Sequence, residues 1–492
     1  MKLRDEGSEE THEPPKADEI KDGLSRREFL RVAALTGGAI GAAGGLGGLM
    51  AACGSTETTT TTAASATTTT AAEATTSTTS PASSTTVSSS VETARPIKIG
   101  YVVPVTGALA SFSSGAKWAQ KHFEDAIKEG IVCADGKKHP VQVLMTDTQS
   151  DSNRAAQVTS DMILNNKVDL IFASCTPPVV NPSGDVAEAM KTPFISNWAE
   201  WHGFIQGRKA PAEGFHWTYT YAFDDAGTAV NYIGVFNMAP NNKKVGLVLG
   251  NDDDGMSWAN FGPPIFKQAG FTVVQTGLYT PGAEDFTEQI SVLKKEGCDL
   301  MVAVMLTPDF TNFWTQARQQ AYHPVIPFGQ KALIFPESVR ALGESGINLC
   351  CSGTWTPRSK FTDSLTGMTC QQLADEYEAF SGNQWSEAMI ILTGFEWAAD
   401  IFKRLTNVDD KEEYVTRIKE TKLPCMLGTI DFTLPVKEMT FHPHPNVGVP
   451  PEAAGQWIKA AAGSKWPIDK VLIFTTSPDL IQVEGKLQPM TY

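Results

Sequence analysis

The sequence predicts an α/β protein made of two similar lobes, each built around a parallel-rich central sheet. Short apolar segments alternate with amphipathic helical ones, which is typical of strands joined by helices. The whole pattern then starts again further along the chain. The length of 492 residues also exceeds what one hydrophobic core usually organises.

The first repeat covers residues 97–196 and the second covers residues 245–320. In the first predicted helix, Ala116, Ala119 and Phe123 fall on one stripe, which indicates a buried face. The predicted strands are 97–103, 141–145, 169–173, 194–196, 245–249, 271–276 and 300–306, and the predicted helices are 114–129, 153–164, 258–269, 286–296 and 312–320. Ligands of open α/β sheets bind beyond the carboxyl ends of the strands, so the loops there are the first place to look for function.

The N-terminus resembles a twin-arginine export signal. Arg26 and Arg27 precede Phe29 and an uncharged, glycine-rich stretch over residues 32–52. That stretch ends in Leu-Met-Ala-Ala before Cys53, which resembles a lipobox whose cysteine receives a diacylglycerol anchor. The alternative is a retained transmembrane anchor. Both interpretations place the rest of the chain outside the cytoplasm, on the outer face of the cytoplasmic membrane.

Residues 53–95 are dominated by Thr and Ser and contain almost no apolar side chains to bury. Such a composition predicts a disordered tether between an anchor and a folded domain. The formal net charge of −15 has the wrong sign for a nucleic-acid-binding protein.

Several motifs after residue 95 resemble the branched-chain amino-acid-binding family of ABC-importer solute receptors. They are the strand and turn 97–107, Asp285-Phe286-Thr287, Cys298-Asp299-Leu300, Gln316-Ala317-Arg318 and Leu427-Gly428-Thr429. The resemblance implies a type I periplasmic-binding fold, with two Rossmann-like lobes joined by three chain crossings. We place these crossings near 219–223, 351–355 and 428–434. The predicted domains are a signal peptide (1–52), a tether (53–95), an N-terminal lobe (96–220 plus 353–432) and a C-terminal lobe (221–352 plus 433–492).

The family's ligand contacts carry over poorly. In that family Ser, Thr and backbone groups after the third and fourth strands hold the amino acid's carboxylate, and a Glu of the second lobe holds its ammonium group. At the acidic position this sequence has Gly329, Gln330 and Lys331 instead. A cation there would repel an ammonium group and attract a carboxylate. The sequence therefore predicts a carboxylate-bearing, possibly aromatic solute rather than a branched-chain amino acid.

The residues predicted to contact the solute lie after strands, at the first crossing or at positions aligned with the family's site. They are Phe112, Cys175, Thr176, Trp198, Glu200, Tyr221, Asp254, Thr307 and Lys331. For each residue a structural role is the alternative: Lys331 would pair with a surface carboxylate, Tyr221 would pack at the hinge, and the aromatic rings would fill space between loops.

The sequence contains no HExxH, GxSxG or GxxxxGK[ST] motif, and residues 250–261 lack the carboxylates that an EF-hand requires. The pair His442 and His444 has no nearby further ligands. We therefore predict no enzyme, cofactor or metal site, but a receptor that binds a small solute and delivers it to the permease subunits of an ABC importer. The alternatives are a ligand-sensing module for a signalling receptor and an exported hydrolase.

Overall fold

A computed structural model describes residues 91–434 and 444–492 of the chain. Arg26, Arg27 and Cys53, on which the predictions of export and lipid attachment depend, lie outside these ranges, as does His442. The described residues form two sheets with helices packed around them, which confirms the two-lobed α/β fold. Within these two ranges, no helix combines the length and the apolar character that a membrane crossing needs.

The first lobe holds a six-stranded sheet in which every neighbouring pair of strands is parallel. In spatial order its strands are Val447–Gly448, Thr218–Tyr221, Phe194–Asn197, Leu170–Ser174, Ile97–Val103 and Val141–Asp147. All five residues of Leu170–Ser174 are buried, as a strand covered by helices on both faces requires.

The second lobe holds a seven-stranded sheet that is parallel except at one edge. Its strands, in spatial order, are Ile468–Thr475, Ala453–Lys459, Cys350–Gly353, Ile326–Gly329, Leu300–Val304, Lys244–Gly250 and Thr272–Tyr279. The first two run antiparallel to their neighbours. The periodicity of the sequence did not predict this antiparallel edge, because the strands come from the end of the chain, beyond the second repeat.

Helices cover the faces of both sheets. The α-helices are Ala116–Ala126, Ser152–Asp161, Pro177–Ala189, Asp225–Phe236, Asp253–Gln268, Thr287–Glu296, Thr307–Gln319, Pro336–Ala341, Cys370–Ser381, Leu392–Lys403 and Lys411–Lys419. Short 3₁₀ turns span Ala110–Ser113, Gly343–Gly346 and Glu387–Ile391, and π turns span Met162–Asn166 and Gly203–Gly207. Two small hairpins pair Ile131–Val132 with Lys138–His139 and Lys422–Cys425 with Gly428–Asp431. The seven cysteines of the described ranges are buried free thiols.

Residues 91–95 belong to the folded lobe rather than to the predicted tether. Thr93 forms a β-bridge with Lys138. The guanidinium group of Arg95 forms ion pairs with Asp169 at 3.0 Å and with Asp409 at 2.7 Å. The tether predicted over residues 53–95 therefore ends before residue 91.

The chain passes between the lobes three times. The first passage follows Tyr221, since the next helix, Asp225–Phe236, packs on the second sheet. The second follows Gly353, and Trp355 already packs in the core of the first lobe. Both passages lie where the sequence predicted them.

The third passage lies later than the predicted position at 428–434. The hairpin strand Gly428–Asp431 ends there, but Val447–Gly448 still pairs with Thr218–Tyr221 of the first sheet. The chain enters the second sheet only at Ala453. The sequence prediction was misled because the strand that returns to the first sheet is only two residues long.

A buried ion pair joins the two lobes beside these passages. The ammonium group of Lys470, on an antiparallel strand of the second lobe, lies 2.5 Å from the carboxylate of Glu387, and both side chains are fully buried. The same carboxylate accepts hydrogen bonds from the backbone N–H groups of Thr354 and Trp355 at the second passage. The pair therefore connects the second sheet, the second passage and the first lobe.

We expect Lys470→Met to lower the free energy of unfolding by about 3 kcal/mol, because removal of one partner leaves the carboxylate of Glu387 buried without its counter-charge. Urea denaturation followed by tryptophan fluorescence measures this change. Lys121→Met is the matched control, since Lys121 pairs with Asp125 on an exposed helix face. Equal denaturation midpoints for the two variants would contradict the proposed role of the buried pair.

A second buried network lies within the first lobe. The imidazole of His122 contacts the carboxylates of Asp363, at 3.2 Å, and Glu376, at 2.9 Å. Burial alone would lower the pKa of His122, but the hydrogen bonds and charges of these two carboxylates raise it to about 9. The histidine is therefore charged at neutral pH.

This network should make folding depend on pH. A histidine with a pKa raised from its ordinary value near 6.5 contributes stability that is complete below that value and is lost as the pH rises through about 9. We expect the difference in unfolding free energy between the wild type and His122→Asn to shrink between pH 6 and pH 10. Urea denaturation at both pH values tests this, and a difference independent of pH would refute it.

Candidate functional site

A small cavity lies between the two lobes, at the carboxyl ends of their parallel strands. Its volume is about 40 Å³, which is room for about three water molecules. It is lined by Phe112, Thr176, Trp198, Glu200, Phe223, Asp225, Asp254, Val304, Gln330, Lys331, Ile334, Ser352 and Glu387. This is the place where ligands of open α/β sheets bind.

The two lobes are in contact around the cavity. The rings of Phe112, from the first lobe, and Phe335, from the second, meet edge to face at 4.9 Å. The ring of His202 stacks on Phe261 at 4.8 Å. The structure is therefore a closed form, in which both lobes enclose the cavity.

The sharp turn after strand Lys244–Gly250 brings one acidic group into the cavity. The carboxylate of Asp252 caps the following helix by accepting a hydrogen bond of 2.8 Å from the N–H of Gly255. A Cβ atom at Gly255 would clash with the carbonyl oxygen of Gly250, so only glycine lets the helix start this close to the strand. Asp254 consequently lies in the first helical turn, with 3 % of its surface exposed.

Lys331 follows strand Ile326–Gly329 and is almost fully buried. Its ammonium group forms a short ion pair with Asp254 and a second one, at 3.4 Å, with Asp252. Burial alone would lower the pKa of Lys331, but these two carboxylates raise it above its ordinary value. The predicted cation is therefore present at the cavity, but carboxylates of its own lobe already bind it.

Two further carboxyl groups of the cavity have raised pKa values. Burial, and then the negative charge of Asp254, raise the pKa of Glu200 well above its ordinary range, and Glu200 hydrogen-bonds to Asp254. The same two causes, in the same order, raise the pKa of Asp225 well above its ordinary range. Burial would also raise the pKa of Asp254, but Lys331 and the hydrogen bond from Glu200 lower it. The proton of the Glu200–Asp254 pair therefore resides on Glu200, and this pair joins the two lobes.

Trp198 follows strand Phe194–Asn197 and has a backbone φ of 75°. This left-handed conformation is unfavourable for a bulky side chain and costs about 1–3 kcal/mol. The indole ring packs edge to face against Phe112 and against Phe223, with ring centroids 5.4 Å apart in each case. Backbone strain at a ligand cavity is typical of binding sites, and here it directs the indole toward the space between the lobes.

Six of the nine residues that the sequence predicted for the site line this cavity: Phe112, Thr176, Trp198, Glu200, Asp254 and Lys331. The other three do not. Cys175 is fully buried behind Thr176, with its sulfur 3.6 Å from the threonine hydroxyl. The hydroxyl of Tyr221 donates to the carbonyl of Leu427, so this residue packs at the hinge. The hydroxyl of Thr307 bonds to the carbonyl of Ala332 within the second lobe, away from the cavity.

The sequence analysis missed four polar or aromatic residues of the cavity: Phe223, Asp225, Gln330 and Glu387. Asp225 follows the acidic cap of a helix at the first passage, and Gln330 precedes Lys331, so their positions after a strand or a crossing could have identified both. No local signal identifies Glu387. It lies in a 3₁₀ turn between two helices of the first lobe, far in sequence from the other cavity residues.

Two other features of the described residues were considered as sites. Cys133, Asp135 and His139 lie close enough together to hold a metal ion. The imidazole of His139 already contacts the Arg95 carbonyl and the Asp135 carboxylate, and burial, followed by the charge of Asp135, raises the pKa of Cys133 to about 12, which disfavours the thiolate that metals bind. A cavity of about 630 Å³ near the hairpin 422–431 borders Leu434, where the described chain breaks off, and lies away from the strand ends.

Comparison with known proteins gives the same picture as the geometry. The family model described as "Periplasmic binding protein" matches residues 96–444. The chain is similar to the Leu/Ile/Val-binding protein homolog 8 of Brucella abortus, with 23% identity over 350 residues that cover 68% of this chain and 84% of that protein.

Solved structures share the fold. A leucine binding protein from Thermotoga maritima has a TM-score of 0.61 at 18% identity, covering 76% of this chain and 97% of that one. LivJ from Streptococcus pneumoniae, solved in complex with isoleucine, has a TM-score of 0.59 at 19% identity and covers 77% and 99%. A solute binding protein of an ABC transporter from Rhodopseudomonas palustris, in complex with 3,4-dihydroxy benzoic acid, has a TM-score of 0.60 at 17% identity and covers 74% and 94%. The chain therefore belongs to the periplasmic binding proteins of type I, the family that includes the Leu/Ile/Val-binding proteins.

Proposed function

We propose that the chain is an extracytoplasmic receptor that captures a small organic solute between its lobes and delivers it to the permease subunits of an ABC importer. The observation that carries this proposal is the enclosed cavity at the carboxyl ends of both parallel sheets, with side chains from both lobes in its wall. The family and the solved relatives, which are binding proteins, support it.

The size of the cavity determines how capture would proceed. A space of about 40 Å³ is smaller than an organic molecule of several heavy atoms, so the solute enters while the lobes are apart. The three chain passages permit such a rotation. A solute favours closure because only the closed form contacts it from both lobes at once.

The sequence predicted a carboxylate-bearing, possibly aromatic solute, and this class stays a candidate. The Rhodopseudomonas palustris relative that was solved with 3,4-dihydroxy benzoic acid supports it. The ion pairs of Lys331 with Asp254 and Asp252 count against it, because a solute carboxylate would have to displace one of these groups.

We expect a solute panel to identify at least one compound that raises the melting temperature of the full chain. A compound at a hundred times its dissociation constant adds about 2.7 kcal/mol of stability. The panel contains amino acids, amides, aromatic and aliphatic carboxylates, and amines, and differential scanning fluorimetry measures the shift. Substitution of Trp198 by Ala should abolish the shift, whereas Leu480→Ala, at an exposed position, should preserve it.

Two further measurements separate the alternatives. Mass spectrometry should recover the bound compound unchanged, and a hydrolysis product would instead indicate an enzyme. Deletion of the gene should abolish cellular uptake of the compound. Intact uptake together with a lost transcriptional response would indicate a sensing module.

We also propose that Cys53 carries a lipid anchor and that Arg26 and Arg27 direct export by the twin-arginine route. The small residues before Cys53 and the paired arginines before an uncharged stretch support this proposal. The anchor would hold the receptor near the permease, with the Thr- and Ser-rich segment as a spacer.

We expect Cys53→Ser to move the protein from the membrane fraction to the soluble extracytoplasmic fraction, because the acceptor of the lipid is lost. Fractionation and labelling with radioactive palmitate measure this. Ser55→Ala serves as the control and should leave both unchanged. A Cys53→Ser variant that stays in the membrane would favour a retained transmembrane anchor.

A further inference from the structure

The closed cavity also indicates the chemical class of the solute, an inference that rests on the proposed function. We propose that the solute is a small organic cation, such as a protonated primary amine on a short apolar or aromatic group. Its nitrogen is held by Glu200, Asp225 and Asp254, and its apolar part lies against Trp198 and Phe112.

The first argument is the balance of hydrogen-bonding groups. Among the residues that line the cavity, five buried oxygen atoms lack a hydrogen-bond partner within the described chain, but only one nitrogen does. The oxygens are Glu200 Oε1, Asp225 Oδ2, Asp254 Oδ1, Gln330 Oε1 and Glu387 Oε2, and the nitrogen is Trp198 Nε1. An ammonium group brings three donors, whereas a carboxylate brings only acceptors, so the cation satisfies what the cavity leaves open.

The second argument is charge. Four carboxyl groups and one ammonium group line the cavity: Glu200, Asp225, Asp254 and Glu387 against Lys331. Lys331 is bound by Asp254 and by Asp252, and Glu387 is bound by Lys470. The carboxyl groups of Glu200 and Asp225 thus have no full counter-charge beyond the 3.7 Å contact of Asp225 with His202. Burial makes this arrangement costly until a cation enters.

The third argument is the aromatic wall. Phe112, Trp198 and Phe223 surround the same cavity as the carboxyl groups. Aromatic faces attract organic cations and also cover their alkyl groups, so rings beside carboxylates form a combination that is typical of amine recognition. The indole N–H of Trp198 is 97% buried with the ring and is free to bond a polar group of the solute.

The empty, closed form keeps its carboxyl groups together by retaining protons. Glu200 donates to Asp254 across the cleft, which would be repulsive if both were ionised. The charged and titratable groups that face this cluster are Asp224, Asp252, Asp253, Cys175, His202 and Lys331. A bound cation takes over the role of the proton, so binding should release a proton from Glu200 or Asp225.

The experiment compares three molecules of nearly the same shape: benzylammonium, benzyl alcohol and benzoate. Isothermal titration of the full chain at pH 7 should give binding of benzylammonium at least tenfold tighter than of either analogue. Titration in two buffers of different ionisation enthalpy should show proton release. The affinity for benzylammonium should rise with pH from 5 to 8, because the cation competes with protons, whereas a bound carboxylate would show the opposite trend.

Two acid-to-amide variants localise the effect. Glu200→Gln keeps the shape of the cavity and leaves the ion pairs of Lys331 intact, so it should weaken benzylammonium at least tenfold and reduce the released proton count. Glu288→Gln, on an exposed helix of the second lobe, should change neither quantity. Circular dichroism and the melting temperature verify that both variants fold.

The outcomes distinguish this inference from the proposed function. Tight binding of benzoate with proton uptake would overturn the cationic class but support the solute receptor. Binding of benzylammonium that Glu200→Gln leaves unchanged would overturn the assigned site. Failure of every compound of the wider panel to bind would overturn the proposed function itself.

Discussion

The arrangement of the site depends on one constraint: parallel strands end at the same edge of a sheet. In each lobe this edge faces the other lobe, so segments far apart in sequence meet in one cleft. Thr176 and Trp198 follow neighbouring strands of the first sheet, and Gln330 and Lys331 follow a strand of the second. The helices on the faces cover the sheets, but chain direction determines which side chains can reach a solute.

The same constraint creates an electrostatic problem that the protein solves only in part. Closure brings Glu200 of the first lobe against Asp254 of the second, and both are buried. Lys331 neutralises Asp254 from within its own lobe, but it leaves Glu200 and Asp225 without an equivalent partner. An interface with buried carboxyl groups in excess is stable only with bound protons or with a cation, so the charge of the solute and the closure of the lobes are physically coupled.

Sequence reasoning located the site better than it identified the chemistry. Periodicity predicted the parallel strands, and the rule about strand ends led to Thr176, Trp198 and Lys331. It predicted the wrong role for Lys331, because the partners of that residue, Asp252 and Asp254, are more than seventy positions away and pair with it only in the folded lobe. The third passage was misplaced for a similar reason, since a two-residue strand carries no periodic signal.

Glu387 shows why part of the site is invisible in the sequence. One carboxylate lines the cavity, accepts hydrogen bonds from the backbone of the second passage and pairs with Lys470 at the antiparallel edge of the second sheet. These contacts link a solute, a hinge and a sheet edge through one buried charge. A change in the charge of the cavity therefore acts directly on a group that holds the hinge, and the two lobes can respond to the solute without a longer path through the core.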